Sequence, residues 1–126
     1  MNKPETMRIN DIRYVREDYV SQKADDFDGL ALCIVRTYSA GVFLGYVKEK
    51  KSELNGVNIR LLKTQRLWAW SGACSISQLA VDGTVNAQGC KFSVVVEEQE
   101  IFGVIEIIPV SEKAEESLRG VEIWKK

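Results

Sequence analysis

The run RLWAWSGACSISQLA, Arg66 to Ala80, sets Trp68 and Trp70 two residues apart, with an arginine just ahead of them and a series of serines just behind. Indole faces stack on planar bases, a guanidinium pairs with phosphate, and backbone amides at a helix N-terminus attract anions. Arg66, Trp68, Trp70, Ser71, Ser75 and Ser77 are therefore candidate nucleotide-binding residues. A base would stack on Trp68 or Trp70, a phosphate would pair with an arginine, and the serines would supply hydrogen bonds. A second polar interruption, RTYSAG, adds Arg36, Tyr38 and Ser39 as a rim shared with Arg66 if the two stretches meet. The plainer readings are that both tryptophans belong to a core, and that RTYSAG is a hairpin corner with Tyr38 packed over the turn and Ser39 capping it. Alternation along a strand would put Trp68 and Trp70 on one face and Leu67 and Ala69 on the other.

Other reactive side chains offer less. The chain contains no histidine, and Cys33, Cys74 and Cys90 are widely spaced with no C-x-x-C pair, so neither a zinc site nor a cofactor is expected. Cys74 lies just before a helix, a place that can activate a thiol, but the chain offers it no histidine base. Glu97, Glu98, Glu100 and Glu106 read as a solvated strand face, and Lys48, Lys50 and Lys51 as a solvated hairpin tip. Phosphate-loop, dinucleotide-fingerprint and nucleophile-elbow patterns are all absent.

The elements that must position these residues are mostly strands. LALCIVRTY and VFLGYVK are apolar and rich in β-branched residues, and Ser39-Ala40-Gly41 between them reads as a hairpin turn. Asn55-Gly56 marks a second turn, since both residues tolerate positive φ. VNIRLLK and QRLWAW continue as strands, Lys91 to Val96 and Ile101 to Val110 make two more, and IFGVIEIIPV is apolar enough to be central. Two short helices interrupt the pattern. One starts at Ser75, where Ser75 and Gln78 have capping-box spacing, and stops at Gly83. The other starts at Ser111 and stops at Gly120. The expected fold is mainly β, an α+β arrangement with an antiparallel meander or small barrel-like sheet and two short helices.

At 126 residues and 45% hydrophobic content the chain can bury one core. Residues 1–29 read as a polar arm and residues 30–126 as a single globular domain. With 28% charged residues and a net charge of −1, there is no electrostatic footprint for duplex nucleic acid or an anionic membrane. No apolar run approaches the roughly 20 residues of a membrane span. The opening MNKPETMRINDIR lacks a signal-peptide pattern, so a cytoplasmic location is expected.

CIVRTYSAGVFLGYV, RLWAWSGACSISQLAVDG, CKFSVVV and IEIIP, in that order, resemble a family of small bacteriophage and prophage proteins. Its pattern runs from R-T-Y-S-A-G through R-R-[IL]-W-Y-W-x-G-A-A-S-L-S-Q-L-A to E-x-I-E-I-[IL]-P, and the match spans about Cys33 to Trp124. This chain departs from it at Ala69, where the family has tyrosine, and at Cys74. The resemblance implies a phage gene product in the host cytoplasm that acts by binding. The expected function is sequestration of a nucleotide second messenger of antiviral defence, of cyclic dinucleotide or cyclic ADP-ribose type, by a homo-oligomer. A module that masks a host or phage protein is the alternative, and a nucleotide-degrading enzyme is the third reading.

Overall fold

A computed structural model describes residues 29–54 and 56–124; residues 1–28 of the polar arm, Asn55 and residues 125–126 lie outside the described residues. The order of elements is β1 Leu32–Thr37, β2 Val42–Glu53, β3 Gly56–Ala69, α1 Ile76–Asp82, a 3-10 turn at Ala87–Gly89, β4 Lys91–Phe92, β5 Val96–Pro109 and α2 Glu112–Arg119. The fold is a β-rich α+β arrangement, as its strand-forming runs imply.

β1, β2 and β3 form an antiparallel meander, and β5 then pairs antiparallel with both β1 and β3. Each of these four strands pairs with two others of the four, β3 pairing with β4 as well, so the ladder closes on itself as a small barrel. Val104 shows the closure most directly: it lies opposite Thr37 on β1 and opposite Val57 on β3. Alternation then divides the apolar side chains in two. Cys33, Val35, Phe43, Ile59, Leu61, Ile101 and Val104 fill one cluster within the ring. Leu32, Ile34, Leu44 and Leu67 point the other way and pack with Leu79, Ala80, Phe92, Ala114, Leu118 and Val121 beneath the two helices.

Local chemistry fixes the ends of the elements. Ser75 caps α1 by accepting the Gln78 amide at 3.1 Å, whereas the Gln78 carboxamide accepts from the Cys74 amide rather than from that of Ser75. Ser111 caps α2 through the Ala114 amide at 3.0 Å, and Glu112 and Glu115 in its first turn suit the helix dipole. In the β1–β2 turn the capping group is Thr37, not Ser39: its hydroxyl donates to the Gly41 carbonyl and accepts from the Ala40 amide, both at 2.8 Å. Tyr38 does not pack over that turn, being 83% exposed.

Two expectations about strands are corrected. VNIRLLK and QRLWAW are one strand, bent where Lys63 takes a positive φ of 52°. The bend turns the Lys63 carbonyl toward α2, where Arg119 Nη2 donates to it at 3.0 Å and Nη1 donates to Gln65 Oε1 at 2.9 Å. Gln65 Nε2 donates in turn to the Ser93 carbonyl at 3.0 Å, so one guanidinium ties α2 to β3 and to the chain beside it. The expected strand from Lys91 to Val96 is only Lys91–Phe92, because Ser93 interrupts it. The Ser93 hydroxyl takes the place of a backbone carbonyl and accepts the Arg66 amide at 2.7 Å, while the Ser93 amide donates to the Arg66 carbonyl at 2.9 Å.

Candidate functional site

β3 pairs with β4 through Leu67↔Phe92 and Ala69↔Lys91, which leaves Trp68 as the extra residue of a bulge. Bulges re-aim side chains, and this one sends Leu67 into the helix-side core while Trp68 stays 52% exposed. The partner of Trp68 is Trp124, whose ring is set edge-on at 84° with the centroids 5.2 Å apart. The C-terminal segment is held there by a parallel bridge between Ile123 and Phe92 and by the Trp124 amide, which donates to the Phe92 carbonyl at 2.9 Å. Lys91 Nζ sits 5.2 Å from the centroid of the Trp124 ring. Lys91, Trp68 and Trp124 thus form an exposed aromatic ledge with a cation at its side.

Trp70 does not share this ledge. β3 ends at Ala69, the alternation lapses, and Trp70 packs, half-buried, against the helix-side core that also holds Leu67. The two tryptophans therefore divide: Trp70 packs against the core and Trp68 is surface.

The other sequence-derived candidates disperse. Arg66 lies across β2's Phe43, with its guanidinium 4.8 Å from the ring centroid, and its Nε is buried without a hydrogen-bond partner among the described residues. Ser71 accepts from Asn86 Nδ2 at 3.1 Å, and its carbonyl accepts from the Thr84 hydroxyl, so it closes the loop ahead of β4. Ser75 is committed to the helix cap, and Ser77 is exposed on α1. At the start of α1 the Gln78 amide is taken by the Ser75 hydroxyl and the Leu79 amide by the Ser75 carbonyl, while the Cys74 amide just ahead of the helix donates to the Gln78 carboxamide. Arg36 is spent on Glu106, with Nε to Oε1 at 2.8 Å. Val35 points inward with Phe43, so Arg36 projects outward while Arg66 lies along the inner side, and the shared rim of Arg36, Tyr38, Ser39 and Arg66 does not form.

The β5 carboxylates are paired rather than simply solvated. Arg60 reaches Glu98 at 3.2 Å, Glu100 at 3.6 Å and Glu49 at 3.7 Å, and Lys63 reaches Glu97 at 2.9 Å. Half-exposed as they are, these pairs contribute little stability singly. Their consequence is that no carboxylate in the row stands poised as a free base. The thiol of Cys74 is exposed, and those of Cys33 and Cys90 are buried. No cluster of metal-ligating side chains occurs among the described residues. Nor, among them, is any helix long and apolar enough to cross a membrane.

The sequence reading missed two residues of this region. Trp124 reaches Trp68 from the C-terminal segment, far away in sequence, and Lys91 gains its role only through the β3–β4 register. A family model described as a domain of unknown function, DUF6948, matches residues 30–118, and the chain belongs to that family. Neither a curated protein nor a solved structure matches it.

Proposed function

We propose that the protein is a non-enzymatic binding protein, encoded by a phage and acting in the host cytoplasm, that sequesters a nucleotide-class ligand on the ledge of Trp68, Trp124 and Lys91. The observation that carries this reading is the pair of half-exposed indoles held perpendicular at 5.2 Å with an ammonium group beside one of them. Trp68 and Trp124 each leave on the order of 100 Å² in water, and because the rings are perpendicular a planar base stacks face-on against one of them, contributing about 2.5 kcal/mol at 25 cal/mol per Å² before the costs of association. Lys91 makes no ion pair among the described residues, so its charge is available to a phosphate. Binding rather than degradation is favoured because the β5 carboxylates are engaged by Arg60 and Lys63, and the chain has no histidine to move a proton.

Tryptophan fluorescence and thermal shift against cyclic dinucleotides, cyclic ADP-ribose and linear nucleotides test this directly. A ligand at about 100 times its Kd should stabilise the fold by about 2.7 kcal/mol. Trp68→Ala should weaken binding by about 1 to 3 kcal/mol, the range for one stacked base. Lys91→Ala should weaken it most at low salt, where a phosphate contact is least screened.

Masking of a protein is the second reading. It draws on the shallowness of the ledge and on Ile123, Val94 and Val95, which extend the exposed apolar surface along the same chain segments. If no nucleotide shifts the melting temperature or quenches the indoles, this second reading replaces the first.

A further inference from the structure

A separate apolar surface lies where the barrel closes. Because Val104 faces Thr37 across one ladder and Val57 across the other, the β1–β2 turn and the β2–β3 turn converge on the same short piece of β5. Gly103, at φ 70°, kinks the strand there, and its carbonyl accepts the Tyr38 amide at 2.9 Å. Four large side chains stand out around this junction: Tyr38 is 83% exposed, Leu54 105%, Phe102 61% and Ile105 53%. Ile105 is the extra residue where the β1–β5 register shifts, and beside it the Arg36–Glu106 ion pair crosses the ladder.

We infer that this junction is the contact face of a homodimer, with a second copy of the chain as the occupant. Two arguments select it. The first is charge: within the patch Arg36 and Glu106 are each the partner of the other, and exposed Glu53 stands at its edge beside Leu54, so no large charge of one sign opposes a second copy. If a two-fold axis brings Arg36 of one copy toward Glu106 of the next, the reciprocal pair forms by symmetry, as an isologous interface allows. The second is area. The four side chains expose roughly 500 to 600 Å², the upper end of the range for the largest patch on a monomer. Two such patches pressed together bury about 1,000 Å², the lower bound of a specific protein interface. The surface is distinct from the tryptophan ledge, so its fate does not depend on nucleotide binding.

Sedimentation equilibrium on the full chain between about 5 and 200 µM tests it, read with the helical and sheet signals of circular dichroism. The expected mass is twice 14.2 kDa at the upper concentrations. Phe102→Asp should return it to 14.2 kDa with an unchanged spectrum, and Tyr38→Asp, at an even more exposed site, should do the same if Phe102→Asp folds poorly. Val94→Asp, on the other apolar surface, should remain dimeric. A wild-type monomer across the whole range, a folded Tyr38→Asp that stays dimeric, or dissociation by Val94→Asp alone would each overturn the assignment.

Discussion

Arg119→Met removes a single guanidinium from the junction of α2 and β3, and the structure sets how much should be lost. The guanidinium donates at 2.9 Å to Gln65 Oε1 and at 3.0 Å to the Lys63 carbonyl, and it lies 5.5 Å from the centre of the Tyr46 ring. Hydrogen bonds to a charged group contribute about 1.5 to 3 kcal/mol each, and Gln65 is buried, so its orphaned oxygen adds to the cost. Against this, methionine no longer has to desolvate a cation. Burial pushes the Arg119 pKa down, while Tyr46 and Glu115 hold it up. The net expectation is a loss of about 3 kcal/mol, read as a fall of about 1.5 M in the urea midpoint for an m value near 2 kcal/mol/M. Arg119→Lys should recover only part of this, because an ammonium cannot reproduce a planar fork between two fixed acceptors.

The pH dependence has a definite sign. A base with a depressed folded pKa gains stability only as pH rises past that folded value, and arginine stays protonated across the range where such a fold survives. The difference between wild type and Arg119→Met should therefore be flat from about pH 5 to 9. A midpoint for Arg119→Met within about 0.25 M of wild type, or full recovery in Arg119→Lys, would refute the tether.

Other expectations follow from individual contacts. Gly83→Ala should destabilise by more than about 2 kcal/mol in thermal melts, since φ is 75° there and a Cβ would clash with Ser117 Oγ and fall 3.1 Å from the Ala114 Cα. Ser75→Ala should cost about 1 kcal/mol by urea unfolding; a null effect would show the cap to be dispensable. A double-mutant cycle of Trp68→Ala and Trp124→Ala should return a coupling of about 0.5 to 1.5 kcal/mol, and a coupling near zero would deny that the edge-on pair persists in solution. Trp70→Ala should lose more stability than Trp68→Ala in the same melts, because Trp70 packs into the helix-side core and Trp68 does not.

Much of the fold is legible in short patterns because its physics is local. Ser75 with Gln78 and Ser111 before SEKAEESL each announce a cap, and Ser39-Ala40-Gly41 announces a turn, since the groups that satisfy the chain there lie within a few residues. What escapes is set by distant registers. Lys63 reads as strand, and nothing adjacent says that its carbonyl will be claimed by Arg119. Arg36 looks free in RTYSAG because Glu106 is supplied by another strand. Trp68 and Trp70 follow strand alternation on paper, but the bulge against β4 and the end of β3 at Ala69 separate them. The nucleotide-site candidates come from two contiguous segments, Arg36 to Ser39 and Arg66 to Ser77, whereas the ledge takes one residue each from β3, β4 and the C-terminal segment.

Closure through β5 also imposes an order in time. On a ribosome the chain emerges from its N-terminus, so β1, β2 and β3 are free to pair while β5 is still unmade. At about 5 to 20 residues per second, the 40 residues from Ala69 to Pro109 take about 2 to 8 s to follow. Throughout that interval Val35, Phe43 and Leu61 line an open meander rather than a sealed interior. Nascent chains stalled before Val96 should accordingly engage chaperones or aggregate, and slowing translation within the segment between β3 and β5 should lengthen that vulnerable period without altering the finished protein.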